Sequence, residues 1–307
     1  MDYDDLLDLI DSNTVMVFND SKVRRSRCYG IKSDTGRKQE FMFLTQLSPD
    51  LKTWQVMVKG AKKVKEGNVY KFTDESEGVI QEIGSNEGTE FRTIKFDIPL
   101  DDAWFERNGH IPLPPYIHRS DNSSDSERYQ NVYAKEIGSN ACPTAGLHFT
   151  QEMLAKLKDK GVQIEFVTLH VGLGTFLPVR VENIEEHKMH EEFFSILSET
   201  AQRITQAKKD GKKILAVGTT SVRTLESAWD SELECLKSGT YSTRIFIYPG
   251  YKFKVVDQLF TNFHTPESTL MMLVSAFSSK EKIMAAYKEA VSKKYRFFSY
   301  GDACFFM

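Results

Sequence analysis

The sequence predicts an α/β protein whose main domain is interrupted by a small all-β unit. A short apolar strand stands near the N-terminus, and a run of short strands and turns follows it. Strands then alternate with helices toward the C-terminus, as in α/β domains. Because the first strand resembles those of the later part, the main domain is predicted to flank the insertion on both sides.

The composition is that of a globular protein large enough for two domains. The chain has 307 residues, of which 40% are hydrophobic and 27% charged, with a net charge of −3. That charge gives no overall basic field of the kind that attracts nucleic acids. The four cysteines are scattered without a C-x-x-C pair, which argues against a zinc ribbon and favours reduced thiols. No apolar run reaches the roughly 20 residues of a membrane helix, and the acidic N-terminus lacks a signal-peptide pattern, so we expect a cytoplasmic location.

The first strand ends in polar residues. Thr14–Phe18 is apolar without alternation, as in a strand buried on both faces, and it follows a short helix predicted around Leu6–Ile10. Asn19 and Asp20 come directly after it. Ligands of α/β proteins bind at the carboxyl ends of strands, so both residues are candidate ligand contacts.

Residues 23–96 have the pattern of an all-β barrel or sandwich, with turns rich in Gly, Asn and Asp. The strands are predicted at Arg27–Lys32, Glu40–Leu44, Trp54–Val58, Val69–Phe72, Gly78–Ile83 and Phe91–Phe96. A helix over Leu100–Arg107 closes the unit. The main domain is therefore predicted to comprise residues 1–22 and 120–307, and the inserted domain with its linker residues 23–119.

Two basic runs lie in the insertion. They comprise Arg24, Arg25 and Arg27 in the first run and Lys59, Lys62, Lys63 and Lys65 in the second. A solvated surface accounts for any single run of this kind. Two runs in one small unit also fit contacts with a phosphate backbone, so these residues are candidate nucleic-acid ligands.

From Glu127 onward, helices and strands alternate. Helices are predicted at Arg128–Lys135, Gln151–Lys160, 199–209, Ser221–Trp229, Glu267–Phe277 and Lys280–Lys293. Strands are predicted at Val162–Val171, Phe193–Leu197, Lys213–Val217 and Ile245–Tyr248. This alternation is typical of a sheet whose parallel strands are covered by helices.

Two loops that combine glycine with histidine flank the helix at Gln151–Lys160. The first contains Thr144, Gly146 and His148, and the second follows His170 and contains Gly172, Gly174 and Thr175. A loop that opens a helix offers N–H groups to an anion, and histidine titrates near neutral pH. Ordinary connections between elements would also have this composition.

Three further clusters follow predicted elements. Gly218, Thr219 and Thr220 join a buried strand to a helix that carries Arg223 and Glu226, which share one helical face and can pair. A surface ion pair is the simpler reading, but their place near a strand end favours ligand contact. Asn262 and His264 lie in a polar turn before a helix, and Asp302 follows the aromatic run that begins at Tyr295.

Other kinds of site have weaker support. His187 and His190 have i, i+3 spacing, and His148, His170 and His264 can join them, but neither cysteine nor an H-E-x-x-H motif accompanies them. G-x-S-x-G, a P-loop and a complete G-x-G-x-x-G are absent from the sequence. We therefore expect an enzyme without a metal, whose ligand carries polar and anionic groups.

Several long blocks of the chain together resemble one family. They are Tyr129–Lys135, Pro143–Thr150, Val167–Phe176, Val217–Glu226, Tyr248–Phe253 and Tyr295–Asp302. In this order they are similar to the S-adenosylmethionine:tRNA ribosyltransferase-isomerases of queuosine biosynthesis. The resemblance implies a distorted β/α-barrel-like large domain with an inserted small antiparallel β-barrel.

The same resemblance implies an unusual reaction. The ribosyl part of S-adenosylmethionine is transferred to 7-aminomethyl-7-deazaguanine at the wobble position of a tRNA and isomerised, giving epoxyqueuosine, adenine and methionine. S-adenosylmethionine is consumed, so no cofactor is expected. The implied partner is a tRNA with a GUN-type anticodon, bound by a monomeric enzyme.

The reaction needs a base beside the sulfonium and a donor for the departing adenine. On this resemblance His148, His170 and Glu226 are the candidate catalytic residues, and the basic runs are candidate tRNA ligands. The candidate substrate ligands are Asn19, Asp20, Tyr133, Thr144, Gly146, Gly172, Gly174, Thr175, Gly218, Thr219, Thr220, Arg223, Asn262, His264 and Asp302.

The sequence departs from the family's pattern in places. Ser21 and Lys22 stand where Thr and Arg are usual, and Cys142 replaces a small residue without a thiol. Family members also carry a further polar segment before the first helix, whereas Met1 here aligns within that helix. We expect such a segment to serve catalysis or substrate binding rather than stability.

Overall fold

A computed structural model describes residues 3–86, 89–172, 189–266 and 268–307. The chain forms two compact units. The larger comprises Met1–Lys22, Gln130–Glu136 and Cys142–Met307, and the smaller comprises Val23–Tyr129 and Ile137–Ala141. The larger unit is therefore built from segments that are far apart in the sequence.

The strands are β1 Thr14–Asn19, β2 Ser21–Val23, β3 Arg27–Lys32, β4 Lys38–Gln46, β5 Thr53–Val58, β6 Val69–Lys71, β7 Glu77–Asn86, β8 Thr89–Phe96, β9 Gly109–His110, β10 Glu136–Ser139, β11 Gln163–Leu169, β12 Glu192–Ile196, β13 Lys213–Val217, β14 Trp229–Asp230, β15 Cys235–Leu236, β16 Gly239–Thr243, β17 Gln258–Asn262 and β18 Ala303–Phe306. The α-helices are α1 Tyr3–Leu9, α2 Asp102–Asn108, α3 Asp125–Arg128, α4 Gln151–Asp159, α5 Ser198–Lys209, α6 Thr219–Ala228, α7 Thr269–Phe277 and α8 Lys280–Ser292. Two short 3₁₀ turns are η1 Ala61–Lys63 and η2 Thr144–His148.

The smaller unit is a closed antiparallel barrel. Its strands pair in the order β4-β5-β8-β7-β6-β3, and β3 pairs back to β4. The predicted inserted β-barrel is thus confirmed, and the sandwich alternative is wrong. Alternate residues of β4 point inward, so that Phe41 and Phe43 pack with Trp54 and Trp104 in an aromatic core. Helix α2 is capped by Asp101, whose carboxylate accepts the N–H of Trp104 at 2.7 Å.

The larger unit contains a mixed seven-stranded sheet of order β16-β12-β11-β1-β13-β17-β18. Strand β1 is parallel to β11 and β13, and β13 is parallel to β17. The other three strands pair antiparallel. In the described part of the chain, β16 and β18 are the sheet's two edges, and the β/α-barrel-like closure is not confirmed.

Local sequence explains where these elements begin and end. All six residues of β1 are buried, which matches its apolar run. The hydroxyl of Thr150 accepts the N–H of Met153 at 3.1 Å and so caps α4. Gly161, at φ +85°, follows this helix in the left-handed conformation that glycine favours.

Some predicted elements are wrong. Residues 129–135 form turns rather than a helix, because α3 ends at Arg128. Ile245–Tyr248 is not a strand. Strands β17 and β18, which the sequence analysis missed, occupy the neighbouring segments. None of the helices in the ranges that the structure describes is long and apolar enough to cross a membrane.

Candidate active site

Four parallel strands of the large sheet carry polar residues at their carboxyl ends. β1 ends at Asn19, β17 ends at Asn262, His170 follows β11, and Gly218 follows β13. Parallel strands have their carboxyl ends on the same side, which is where α/β proteins bind ligands. Four candidates from separate parts of the sequence therefore lie at the same edge.

Asn19 and Asp20 have different roles at the end of β1. The Asn19 side chain is buried and bonds to both the N–H and the C=O of Leu169, each at 3.0 Å, so it holds β1 against β11. One Asp20 carboxylate oxygen accepts a hydrogen bond from the hydroxyl of Thr168 at 2.6 Å. Burial raises the pKa of Asp20, partly offset by this bond. A carboxyl group with a raised pKa at a strand end is a candidate base.

The loop before α4 packs closely against Tyr133. A Cβ atom built on Gly146 would lie 1.9 Å from the Tyr133 hydroxyl oxygen and 2.7 Å from the Asn131 amide, so only glycine fits there. The Asn131 amide nitrogen also donates to the Pro143 carbonyl at 3.1 Å. Asn131 was not predicted, although it lies within the block Tyr129–Lys135. These contacts fix the loop that carries His148.

His148 is held by Asn262. The Asn262 amide nitrogen lies 3.1 Å from Nε2 of His148, and the imidazole packs edge-on against Phe260. The same nitrogen donates to the Phe298 carbonyl at 3.2 Å, and the amide oxygen accepts from the Thr144 hydroxyl at 3.2 Å. Two predicted substrate ligands, Thr144 and Asn262, thus position a predicted catalytic histidine.

These contacts determine the tautomer of His148. Turning the Asn262 amide over would set its oxygen against the Phe298 carbonyl, which only accepts hydrogen bonds. The amide nitrogen therefore faces Nε2, so Nε2 accepts, and the neutral ring carries its proton on Nδ1. Burial lowers the pKa of His148, and Asp302 opposes that shift, so the ring is neutral at neutral pH.

Asp302 is bound by an arginine. Its carboxylate accepts from Nη2 of Arg296 at 2.7 Å and from the Arg296 backbone N–H at 2.7 Å. The Arg296 side chain lowers the pKa of Asp302. Asp302 is therefore a fixed negative charge near His148, in contrast to Asp20.

His264 follows β17 and is held by two buried residues, Thr261 and Tyr287. Nε2 of its ring is 3.1 Å from the Thr261 hydroxyl, and the backbone N–H of His264 donates to the Tyr287 hydroxyl at 3.1 Å. Burial lowers the pKa of His264 to about 4. It therefore stays neutral in the folded protein.

We expect His264 to make stability depend on pH. The unfolded chain protonates this ring near pH 6.5, whereas the folded protein resists protonation down to about pH 4. Its contribution is complete above pH 6.5 and is lost as the pH falls toward 4. Melting temperatures between pH 7.5 and 4.5 should fall less for His264→Gln than for wild type. Exposed His118→Gln is the control, and equal curves for wild type and His264→Gln would contradict the prediction.

Arg223 and Glu192 form a buried ion pair, in which each residue is about 95% buried. The pair joins Nη1 of Arg223 to Oε2 of Glu192, and Oε1 of Glu192 accepts the N–H of Gly172 at 3.2 Å. In the described part of the chain, Nε and Nη2 of Arg223 have no hydrogen-bond partner. These two groups lie on one edge of the guanidinium, which is the edge that grips a carboxylate with two parallel bonds.

An apolar pocket adjoins this guanidinium. Arg223 shares the lining with Met189, Ile245, Phe246, Ile247, Thr269, Leu270 and Leu273. A buried cation with two unused donors beside apolar side chains suits a ligand that has a carboxylate and an apolar chain. Sequence reasoning missed Glu192, because it lies far from Arg223 along the chain and belongs to no recognised motif.

Glu226 does not pair with Arg223, so that predicted pairing is wrong. Its carboxylate accepts the backbone N–H groups of Lys254, Val255 and Val256 at 2.9–3.0 Å and the Tyr251 hydroxyl at 3.1 Å. Both oxygens are therefore occupied by the protein. These contacts favour a role in holding residues 251–256 rather than in catalysis.

The remaining loop candidates lie near these groups. Gly218 has φ +86° and donates to the Phe260 carbonyl at 2.8 Å, and Thr219 and Thr220 open α6. The Thr220 hydroxyl is buried without a hydrogen-bond partner among the described residues. The N–H of His170 donates to the Phe193 carbonyl at 3.0 Å. Gly174, Thr175 and His187 lie outside the described residues.

The two basic runs differ in their surroundings. Arg24 bonds to Asp102 and stacks over Trp54, and Arg25 and Arg27 donate to backbone carbonyls. By contrast, the second run is exposed, and none of its members forms an ion pair within the described ranges; it consists of Lys59, Lys62, Lys63 and Lys65. The geometry favours the lysine run for contact with a polyanion.

Two observations bear on metals and thiols. Among the described residues, no group of three or more His, Cys, Asp or Glu side chains is arranged to hold a metal ion. The four cysteines are unpaired, and burial raises the pKa of the Cys304 thiol to about 12. Such a thiol is a poor nucleophile.

Known proteins of similar sequence align with nearly the whole chain. The S-adenosylmethionine:tRNA ribosyltransferase-isomerase of Treponema denticola is 57% identical over 302 residues, covering 98% of this chain and 87% of that protein. The enzyme of the same name from Borreliella afzelii is 48% identical over 300 residues, covering 97% of this chain and 85% of that protein. A crystal structure of S-adenosylmethionine tRNA ribosyltransferase from Thermotoga maritima matches with 33% identity and a TM-score of 0.49, covering 99% of this chain and 85% of that one.

The family model described as queuosine biosynthesis protein matches residues 1–306. Together with the identity to the two bacterial relatives, this match extends over both units and every described candidate residue. The chain therefore belongs to the queuosine biosynthesis protein family.

Proposed function

We propose that this chain is a ribosyltransferase-isomerase that modifies tRNA. It transfers the ribosyl part of S-adenosylmethionine to 7-aminomethyl-7-deazaguanine at the wobble position and isomerises it, releasing adenine and methionine. The observation that carries this proposal is the 57% identity to an enzyme of that name over 98% of the chain. The substrate tRNA has a GUN-type anticodon, and the enzyme acts as a cytoplasmic monomer without a cofactor.

Arg223 is the proposed ligand of the methionine carboxylate. Its Nη1 group is paired with Glu192, while Nε and Nη2 form an open edge among the described residues. A carboxylate can accept two parallel bonds on that edge. The apolar side chains beside the guanidinium, which include Ile245 and Leu273, are in position to contact the methionyl chain. This arrangement orients the sulfonium relative to the strand ends.

His148 is the proposed hydrogen-bond donor for the departing adenine. Because Nε2 accepts from Asn262, Nδ1–H is the proton that the ring can donate. Protonation of Nε2 would set an N–H against the Asn262 N–H groups, so the neutral ring is favoured over the imidazolium. A neutral imidazole stabilises developing negative charge as a fixed donor. We therefore assign His148 to the departure of adenine and not to the removal of the proton from the carbon beside the sulfonium.

Asp20 is the proposed base. The sulfonium acidifies the adjacent carbon, and a carboxylate whose pKa is raised accepts that proton more readily. Burial raises the pKa of Asp20, whereas Arg296 lowers that of Asp302. Asp302 instead provides a fixed charge near His148.

A product assay tests the function. Purified protein, S-adenosylmethionine and tRNA bearing the aminomethyl-deazaguanine should release adenine and methionine in equal amounts, and epoxyqueuosine should appear in the tRNA. Release of S-adenosylhomocysteine would identify a methyltransferase instead. Binding of tRNA without adenine release would indicate a non-catalytic tRNA-binding protein. Loss of the reaction with a chelator would support a metal-dependent enzyme.

A further inference from the structure

The small barrel contains a basic pocket, and all the residues that line it belong to the smaller unit. The cavity has a volume of about 300 Å³. It is lined by Lys32, Thr35, Arg37, Gln39, Lys63 and Tyr70. These residues come from β3, the hairpin that leads into β4, the start of β4, η1 and β6, so the fold brings Lys63 of the second basic run together with Lys32 and Arg37.

Tyr70 gives the pocket a hydroxyl hydrogen-bond donor. Only 1% of this residue is exposed, and its ring packs edge-on against Phe41 at 4.9 Å between centroids. Its hydroxyl lines the pocket and forms no hydrogen bond to any residue in the described ranges. Burial raises the pKa of Tyr70, so the hydroxyl keeps its proton and can donate it in a hydrogen bond.

The charged residues that line the pocket are the cations Lys32, Arg37 and Lys63. Lys32 bonds to Asp34 at 2.9 Å, so one cation of the pocket is matched by a carboxylate. Arg37 and Lys63 form no ion pair among the described residues. The Gln39 amide nitrogen donates to the carbonyls of Glu40 and Lys59, which fixes the neighbouring turn. The pocket thus combines three cations with one carboxylate and one unused hydroxyl donor.

We propose that this pocket binds a backbone phosphate of the substrate tRNA. A phosphodiester offers oxygen acceptors to the Arg37 guanidinium, the Lys63 ammonium and the Tyr70 hydroxyl at once. Lys59, Lys62 and Lys65 are exposed nearby in sequence, so the positive surface continues beyond one phosphate. A continuous polyanion therefore fits better than an isolated small anion. This inference rests on the proposed function, since it takes the polyanion to be the tRNA that is modified.

Salt-dependent tRNA binding by the full chain tests the proposal. Arg37→Gln/Lys63→Gln should weaken tRNA binding several-fold and reduce the slope of log K against log salt by about 1, because the contact with one phosphate is lost. Tyr70→Phe should weaken binding without changing that slope, because it removes a neutral donor. Lys95→Gln/Arg107→Gln removes the same charge from exposed positions of the barrel outside the pocket, and should leave the slope nearly unchanged.

Three results would overturn the proposal. One is an unchanged salt slope in Arg37→Gln/Lys63→Gln. The second is an equal loss of slope in Lys95→Gln/Arg107→Gln, which would mean that overall charge alone matters. The third is stabilisation of wild type by inorganic phosphate that is lost in Arg37→Gln/Lys63→Gln while tRNA affinity is unchanged, which would identify a site for a small anion. Adenine release by the unmutated protein is measured separately. A lack of adenine release would contradict the proposed function, whereas the binding measurements test only the phosphate site.

Discussion

Replacing His148 with Gln should lower kcat for adenine release by about 10²- to 10³-fold, the usual loss when one donor to a developing negative charge is removed. The side chain lies on a 3₁₀ turn and is partly exposed, so the fold should persist. Steady-state kinetics at saturating S-adenosylmethionine and tRNA measure the effect. His118→Gln, which changes an exposed histidine of the barrel, is the control. Turnover within threefold of wild type in His148→Gln would remove this residue from the mechanism.

The pH profile tests which form of His148 is active. If the neutral ring is required, kcat/KM falls as the pH drops through the pKa of His148, which lies below 6.5. Asp302 favours the imidazolium, so Asp302→Asn should move this acid limb to still lower pH. Activity that instead falls as the pH rises toward 7 would indicate that the imidazolium acts as a proton donor.

Asn262→Asp tests the positioning of the ring. A carboxylate accepts from Nε2–H, so this change should reverse the tautomer and raise the pKa of His148. The expected result is a lower kcat and an acid limb moved to higher pH, whereas a loss of packing alone leaves the limb in place. Asn262→Gln keeps the amide, and partial activity with an unmoved limb is expected for it.

Much of the fold follows from local patterns. The strand Arg27–Lys32 was predicted with its observed ends, because turn residues flank it on both sides. The buried strand at Thr14 was also predicted, since its apolar run shows no alternation. The shared position of Asn19, His170 and Gly218 follows from the parallel pairing of β1, β11 and β13, which places their carboxyl ends on one side of the sheet.

Partners that are distant in sequence could not be predicted in this way. Helical spacing suggested that Arg223 pairs with Glu226, yet its partner is Glu192, 31 residues away. Each of the three residues is buried, and the sheet order decides which ones meet. Strand β17 was missed because its polar end at Asn262 was read as a turn. The two basic runs look alike in sequence, and only the fold distinguishes the engaged arginines from the exposed lysines.

Replacing Arg223 with Lys should raise the KM for S-adenosylmethionine by roughly 30- to 150-fold. An ammonium can still pair with Glu192, but it lacks the Nε and Nη2 edge that we assign to the methionine carboxylate. The loss of charge-assisted hydrogen bonds of this kind costs about 2–3 kcal/mol. Steady-state kinetics at saturating tRNA measure the change. Arg203→Lys is the matched control, because Arg203 of α5 is half-exposed and binds the buried Glu165 of β11 through two nitrogens. A KM within threefold of wild type would assign the carboxylate to another residue.

A second pair of variants separates binding from stability. Arg223→Met leaves Glu192 buried without its partner, which costs about 3–5 kcal/mol of unfolding free energy. Adding Glu192→Gln removes the unpaired charge and keeps an acceptor for the N–H of Gly172, so most of the stability should return. Denaturant unfolding measures both variants, and the same kinetics are then run on the double variant. If stability returns while the KM for S-adenosylmethionine stays high, the guanidinium binds the substrate directly. If normal KM returns together with stability, Arg223 serves only as the buried partner of Glu192.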